Sequence, residues 1–545
     1  FIYGSNTSDG YKERYDFVII GSGFGGSVSA LRLREKGYKV LVLERGKRFE
    51  DKDFAISNWA FWKYLWNPWI RSFGILQMSL LNGMLVLHGS GVGGGSLGYA
   101  SVLMEPSEKM FNAPAWKDLA DWKAILRPHY DSAKRMLGVA TTPRLYQADE
   151  MIREVAEDMG QGKTFTPTTV GIFFGQVGQS DGDAYPDPFF DGKGPERNSC
   201  RHCGGCMVGC RYNAKNTLVK NYLHLAKGLG TEVISEAEVR NIRPLEGEQV
   251  DEARYEVDYV KSTAILFKGQ KTIRAKNVVV SAGVMGTLKL LFRLKNTTKT
   301  LPNLSERLGE MVRTNSEALL GTTARKWDKD YSQGVAIGSI FQADDVTNIE
   351  PVRYPPKNGL MRLLSWPLLD SSKGMIHRIG QILWQMIRHP IDFLSSLAFP
   401  KWAERSTILL VMQTIDNKMK VAHGRNFWTF FRKGLVAGKG EKDKIPAKID
   451  IGHEVTKRYA EKIDGIAAGS IAEGLLGMPS TAHILGGCPI GRSAEDGVID
   501  LSCEVFNYPG IFVVDGSIMP ANPGINPSLT ITALAEYAMS QIPNN

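Results

Sequence analysis

The 545-residue chain has no run of about twenty uncharged apolar side chains, so the sequence predicts no membrane-spanning helix. Cysteine is scarce: there are six, and four of them crowd between Cys200 and Cys210. That distribution argues against a disulfide framework and for a metal or cluster site assembled in a reducing, cytoplasmic compartment. No internal repeat, low-complexity tract or basic run occurs, which excludes solenoid arrays and long charged tails. The net charge of +9 and a pI near 9.0 suit an anionic surface, but no nucleic-acid motif accompanies them and nucleic acid is set aside as a partner. For charge alone, a solvated basic surface and peripheral contact with a membrane both stay open. The chain opens on Phe1 rather than Met, which reads as processing or trimming. A hydrophobic content of 43% is that of a globular protein, here long enough for two or three domains.

Of what is present, the stretch Tyr15 to Gly26 is the most informative. Phe17 to Ile20 form a short apolar strand, followed at once by Gly21, Gly23 and Gly26 in G-x-G-x-x-G spacing, with Phe24 and Gly25 between them, and by a helix over Ser27 to Glu35. The first glycine permits the tight turn, the second lets the backbone approach a pyrophosphate, and the third lets helix and strand pack closely. The helix N-terminus then faces the phosphates. A second strand, Lys39 to Leu43, ends on Glu44, which stands where an acidic side chain accepts hydrogen bonds from an adenosine ribose. The ligand predicted is a dinucleotide.

Residues 54–87 are rich in Trp, Phe, Leu and Met, and read as a lid over an apolar cavity, a membrane-contacting loop or buried core. His88 to Ser96, containing Gly91, Val92, Gly94 and Gly95, is a second glycine-rich loop of the kind a bulky isoalloxazine or a second phosphate contact requires. Residues 115–160 read as helical and polar, 161–199 as loop, and Lys215 to Lys227 as helix, followed by a strand from Glu232 that ends near Val239. Asn277 to Val280 run into Ser281-Ala282-Gly283 and a helix over Thr287 to Leu294, so the strand–glycine–helix logic returns after a long insertion. Residues 318–350 alternate as strands. In 359–402, Met375, Ile376, Ile379, Ile382, Leu383, Met386 and Ile387 share one face of a helix decorated by Lys373, Arg378 and Arg388. That helix either packs on the core or lies among lipid headgroups.

Near the end come Ala482-His483-Ile484 before a glycine pair, then Asp515-Gly516-Ser517 and Asn526-Pro527. Asp515 could stand against a ribityl chain, and a helix from Ser528 to Tyr537 would aim its N-terminus at a flavin's pyrimidine edge, where reduction creates negative charge. His483 and Asn526 offer a proton-handling and hydrogen-bonding pair for an alcohol, although a histidine before glycines is as often structural.

In these motifs the chain resembles the glucose–methanol–choline (GMC) oxidoreductases, in particular their cholesterol oxidase-like branch. The resemblance is carried in family order by Gly21 to Gly26 with Glu44-Arg45-Gly46, by Gly91 to Ser96, by Val278 to Gly286, by His483 to Cys488, and by Asp515 to Ser517 with Gly524 to Pro527. It implies an α/β protein: a discontinuous Rossmann-like FAD-binding domain beside an α+β substrate domain built on a large, mostly antiparallel sheet. The FAD domain would take 11–110, 215–312 and 481–545, the substrate domain 313–480, and 111–214 would form a cap segment. FAD contacts are expected at Gly21, Gly23, Phe24, Gly25, Gly26, Glu44, Arg45, Gly91, Val92, Gly94, Gly95, Ser96, Val239, Ser281, Ala282, Gly283, Asp515, Gly516, Asn526 and Pro527. The implied reaction is oxidation of an apolar alcohol, sterol or long-chain, by hydride transfer to flavin N5, with His483 managing the hydroxyl proton and Asn526 contacting substrate and flavin. Glu350 is the candidate for the branch's isomerisation base, a loop glutamate. The acceptor would be oxygen, a quinone or a carrier protein. Where the family often has Asn-Gly after the glycine loop, this chain has Leu97-Gly98-Tyr99-Ala100.

The second departure is Cys200, Cys203, Cys206 and Cys210, spaced C-x₂-C-x₂-C-x₃-C as in ferredoxin-type iron–sulfur sites, though with Arg211 where a proline usually follows. Some GMC dehydrogenases carry a cluster at a similar element, which implies a [4Fe-4S] or [3Fe-4S] group here. Structural zinc and simple reduced thiols are the alternatives. Two further readings stand beside alcohol oxidation: a family fold turned to lyase or decarboxylase chemistry, and a flavin electron-transfer subunit of a larger complex.

Overall fold

The structure is a computed structural model that describes residues 13–81, 83–176, 178, 180–245, 253–370, 374–388, 390–392, 400–429, 431–438 and 445–545. Phe1 and Lys373, both used in the sequence reading, lie outside the described residues.

The alternation of apolar runs and glycines does what the sequence predicts. Strand β1 (Arg14–Ile20) leads into α1 (Phe24–Glu35) and β2 (Val40–Leu43). Every residue of β2 is buried, as expected of a strand covered on both faces of a parallel sheet. Helices α2 (Trp122–Leu137) and α3 (Gln147–Asp158) come next. They are followed by β3 (Glu232–Ile234), β4 (Ala237–Pro244), β5 (Tyr255–Lys261), β6 (Gln270–Val280) and α4 (Gly283–Asn296). The first sheet has the order β3-β2-β1-β6-β5-β4. Strand β6 is long enough to serve two neighbours on one edge: residues 270–275 pair antiparallel with β5, while Val278–Val280 pair parallel with Ile511–Val513.

The second sheet is antiparallel throughout and has seven strands. Its members are β7 (Ala318–Ala324), β8 (Ser339–Gln342), β9 (Thr347–Val352), β10 (Ser365–Pro367), β11 (Ser406–Gln413) and β12 (Gly465–Ser470), in the order β10-β12-β7-β11-β9-β8, with Thr166–Pro167 beyond β8. Between β10 and β11 lies α5 (Met375–Arg388), and the chain closes on α6 (Ser528–Ser540). The fold is therefore the expected one, a dinucleotide-type α/β layer beside an α+β unit on an antiparallel sheet. Among the described residues no helix is long and apolar enough to cross a membrane.

Three local expectations change. Residues 111–214 divide between the layers: Tyr130 of α2 donates to Thr530 of α6 at 2.9 Å, whereas α3 packs into the core of the second sheet. The helix read from Lys215 to Lys227 begins only at Tyr222, because the Lys215 ammonium is pulled inside to donate to the carbonyls of Leu97, Tyr99 and Cys206. The aromatic stretch 54–87 splits between roles. Phe54, Tyr64 and Ile75 are buried in a core cluster, while Trp59, Phe61, Trp62 and Trp69 are exposed.

Candidate active site

A single cavity of about 480 Å³ runs from the glycine turns to the second sheet. Its phosphate end is made by two loops in contact. A Cβ on Gly94, whose φ is +54°, would stand 2.6 Å from Cα of Gly23, whereas a Cβ on Gly23 would meet nothing within 4 Å. That open face above Gly23, at the N-terminus of α1, is the space a pyrophosphate needs. Glu44 is held there: its carboxylate accepts from the Ser22 amide at 3.0 Å, the Ser22 hydroxyl at 2.7 Å and the Gly46 amide at 2.7 Å. A carboxylate accepts about four hydrogen bonds, and Glu44 lines the cavity, so it keeps capacity for a ribose hydroxyl. Asp515 accepts from Thr287 at 2.6 Å and from the Ser517 amide at 2.8 Å, and burial pushes its carboxyl up.

Most of the residues expected at a cofactor share this wall: Gly21, Gly23, Phe24, Gly25, Glu44, Arg45, Gly94, Gly95, Val239, Ser281, Ala282, Gly283, Asp515, Gly516, Asn526 and Pro527. Gly26, Gly91, Val92 and Ser96 do not line it. Gly26 sits against the Gly21 carbonyl, where a Cβ would clash at 2.0 Å, and Ser96 donates to Gly93 and accepts from Leu218. These four support the cradle from behind. The departure at Leu97 to Ala100 has a physical account: Lys215 ties down the carbonyls of Leu97 and Tyr99, and the Tyr99 ring meets Phe24 edge to face at 5.6 Å.

His483 and Asn526 also stand on the wall of this cavity. Each is backed by a buried carboxyl. His483 Nδ1 lies 2.9 Å from Glu317 Oε2, and Glu317 is itself anchored by the Thr481 hydroxyl at 3.0 Å and the Ala482 amide at 3.2 Å. Asn526, with its amide turned so that both partners are satisfied, donates to Glu350 at 2.8 and 3.2 Å. The loop carrying Asn526 is clamped by Asn315, which bonds Ile525 O and Gly524 N at 2.9 Å, and by Asn348, which bonds Gly524 O at 2.8 Å. Glu350 is not on a loop, where the resemblance would have it. It sits on β9 with 0% exposure, behind Asn526 rather than on the cavity wall. Burial raises its pKa to about 8, the Glu317 carboxylate adds to the rise, and the Asn526 hydrogen bond opposes it. Glu317 was not legible in the sequence. It precedes β7 in no recognisable motif, and only the fold brings it under His483.

Elsewhere the wall is mostly apolar, with Tyr354, Met361, Trp402, Ile408 and Leu410 among its residues. His88 also faces the cavity, and burial together with Arg45 lowers its pKa to about 3, so its imidazole stays neutral at physiological pH.

The four cysteines surround a separate cavity of about 510 Å³ that Gly204, Gly205 and Gly209 also line. All four are free thiols, and the His202 amide donates to Cys200 Sγ at 3.3 Å. Two neighbouring cations are buried, Arg197 and Lys215. Their hydrogen bonds go to carbonyl and amide oxygens, not to a carboxylate. Among the described residues no group of three or more His, Cys, Asp or Glu side chains is arranged to hold a single metal ion.

A glycine-lined dinucleotide cradle opening directly onto a histidine–asparagine pair in an apolar chamber defines a nucleotide-dependent oxidoreductase. The comparisons with known proteins agree. Residues 195–295 and 440–535 match the GMC oxidoreductase family, and residues 19–49 match an NAD(P)-binding Rossmann-like domain. The chain is 44% identical to a cholesterol oxidase of Acinetobacter baumannii, with 97% of this chain and 94% of that protein covered. It is also 44% identical to a cholesterol oxidase of Mycobacterium tuberculosis (strain ATCC 25618 / H37Rv), with 98% and 92% covered. A long-chain-alcohol oxidase of Arabidopsis thaliana, FAO4B, is 23% identical over 98% of this chain and 68% of its own length. Among solved structures, pyridoxine 4-oxidase from Mesorbium loti superimposes with a TM-score of 0.60 at 16% identity, covering 96% and 98% of the two chains, a likeness of fold. The chain belongs to the GMC oxidoreductase family, on its cholesterol oxidase-like branch, and is a flavoprotein oxidoreductase acting on CH–OH groups.

Proposed function

We propose that this protein oxidises the hydroxyl of an apolar alcohol, a sterol or a long-chain alcohol, to a ketone or aldehyde, with oxygen as the electron acceptor. The observation that carries the reading is that one cavity is lined by the nucleotide cradle, by His483 and Asn526, and by a mostly apolar wall. FAD, when bound, supplies the acceptor for the hydride that leaves the carbinol carbon. Glycine turns and Glu44 would hold its pyrophosphate and ribose, Asp515 its ribityl chain, and the N-terminus of α6 its pyrimidine edge. Glu317 stands as a carboxylate neighbour 2.9 Å from His483 Nδ1, and Nε2 would take the hydroxyl proton, a contribution of roughly 10²–10⁴-fold. Asn526 orients the substrate oxygen, and Glu350 fixes the Asn526 amide. As an isomerisation base Glu350 would have to reach past Asn526. The test is anaerobic: a sterol or a long-chain alcohol should bleach the flavin spectrum, and readmitted oxygen should release peroxide. No bleaching by any alcohol would sink this reading in favour of lyase, decarboxylase or electron-transfer chemistry.

A second reading concerns the cysteines. What supports a [4Fe-4S] or [3Fe-4S] cluster is the glycine-lined space that all four thiols border, with the basic side chains of Arg197 and Lys215 buried nearby. A cluster spreads its ligands over several irons, so a site built for it does not present the compact shell of a single ion. It would supply one-electron steps and with them a quinone or a carrier protein as acceptor. Iron and acid-labile sulfide assayed on protein purified anaerobically decide the matter, and a flavin spectrum without either leaves the cysteines as thiols.

A further inference from the structure

The face of the second sheet that meets the cavity is polar in two places and apolar between them. Opposite residues of an antiparallel pair share a face, and every second residue along a strand returns to it. Leu320 of β7, Leu409 of β11 and Ile349 of β9 belong to the core shared with α3, so the residues one step off them look the other way. They do so in three successive rows. Glu350, Leu410 and Leu319 form the first, the row in which Glu350 holds Asn526. Val352, Ile408 and Gly321 form the second, and Ser406 with Thr323 the third. Apart from Glu350, all of them line the cavity. The third row lies four residues along the strands from the first, roughly 13 Å at the rise of an antiparallel strand.

Thr323 and Ser406 are buried, at 7% and 5% exposure, and their hydroxyl oxygens lie 2.7 Å apart. Among the described residues neither hydroxyl has a hydrogen-bond partner besides the other. Two hydroxyls carry two donor protons, and one of them closes the pair. The second proton and the remaining lone pairs are left at the cavity wall, where a buried polar group without a partner costs free energy. Thr407, the next residue along β11 and on the opposite face, shows the contrast: it accepts from the Tyr459 hydroxyl at 3.0 Å inside the core. The surroundings of the pair are apolar. Ile408 lies in the adjacent row, and Ile466 of β12 stands directly across from Thr323. A mostly apolar pocket draws its selectivity from a few polar groups placed in this way. The rows thus match a molecule with an oxygen at each end of an apolar body: Asn526 takes one oxygen, Gly321 and Ile408 lie along the body, and the hydroxyl pair meets the other.

We propose that Thr323 and Ser406 determine specificity by hydrogen-bonding a second oxygen, a ketone or a hydroxyl, at the end of the substrate remote from the hydroxyl that is oxidised. The preferred substrate is then an apolar alcohol of about the length of a steroid nucleus with oxygen at both ends. Which oxygen reacts rests on the function proposed above; the hydrogen bond to the remote one does not. The test uses the flavin-loaded full chain and two 3-hydroxysteroids that differ only in a 17-ketone, at the opposite end of the nucleus. The parent's kcat/KM should favour the ketone-bearing steroid by about tenfold. In the Thr323→Val/Ser406→Ala variant the ratio should fall to about one, while Thr323→Ser, which keeps both hydroxyls, should retain the preference. A second readout needs no turnover. The infrared carbonyl band of a bound 17-ketosteroid lacking the 3-hydroxyl should lie at lower frequency in the parent than in an apolar solvent, and should return to the solvent position in the double variant. Equal kcat/KM for the two steroids in the parent overturns the proposal without recourse to any variant. So does a preference that survives in the double variant, or a carbonyl band that does not shift. If neither steroid reduces the flavin, the alcohol reading fails, while the carbonyl band still judges the hydroxyl pair.

Discussion

Replacing Glu350 by glutamine isolates the most perturbed acid in the catalytic region. Its pKa of about 8, against an ordinary 4.5, corresponds to about 5 kcal/mol of differential interaction between the two protonation states. The sign follows from proton counting. Between about 4.5 and about 8 the folded chain keeps a proton on Glu350 that the unfolded chain has released, so the native state binds more protons and this group's contribution to stability falls as pH rises. The loss runs at about 1.4 kcal/mol per pH unit across that window and levels off above it. Glutamine keeps the shape and cannot ionise. The melting temperature of Glu350→Gln should therefore converge with the parent's near pH 5 and exceed it progressively towards pH 8. A direct measure is the infrared carbonyl band of a protonated, buried carboxyl, present in the parent at pH 7, lost with a midpoint near 8 and missing from the variant. A band that titrates near pH 4–5, or a melting difference that stays constant from pH 5 to 8, would refute the assignment of the shift to burial behind Asn526.

Three further outcomes follow from the same geometry. Glu317→Gln removes a negative charge beside Glu350 and the partner of His483 Nδ1. The Glu350 band should then titrate at lower pH, and kcat should fall by about 10- to 100-fold with KM little changed, measured by stopped-flow flavin reduction. Gly94→Ala must force the two nucleotide loops apart, because its Cβ would meet Gly23 at 2.6 Å; the purified protein should carry substoichiometric flavin by absorbance. Lys215→Met strips three carbonyls of their shared donor, which should cost several kcal/mol and appear as a drop in melting temperature.

Much of the fold was legible because each element of the first layer announces itself locally. The run Phe17–Ile20, the glycines after it and Glu44 report a strand, a turn and a strand end within thirty residues, and β1, α1 and β2 form there. His483 and Asn526 could be placed because they sit in short motifs near the chain's end. Their supporting carboxyls could not. Glu317 and Glu350 lie in β-rich sequence where period-two alternation says which face is buried but not what a buried acid will meet across a gap of more than 160 residues. The helical spacing of α5 was equally clear, yet spacing alone cannot say whether an apolar stripe turns in or out; Gln381, bonded to the Asp370 amide, and Gln385, bonded to the Leu368 carbonyl, turn it out.

The edge that β6 shares between β5 and Ile511–Val513 has a consequence for how the protein is made. On a ribosome the nucleotide turn at residues 21–26 emerges first, but its opposite wall is Asp515, Gly516 and the start of α6. Gly25 packs directly on the Val514 carbonyl. The cradle is thus unfinished until the segment that carries Asp515 and the start of α6 has been synthesised, and flavin capture must wait for it. Until then the apolar strands of the first sheet have an open edge, a window in which a chaperone's hold and a ready supply of cofactor would govern the yield of active enzyme.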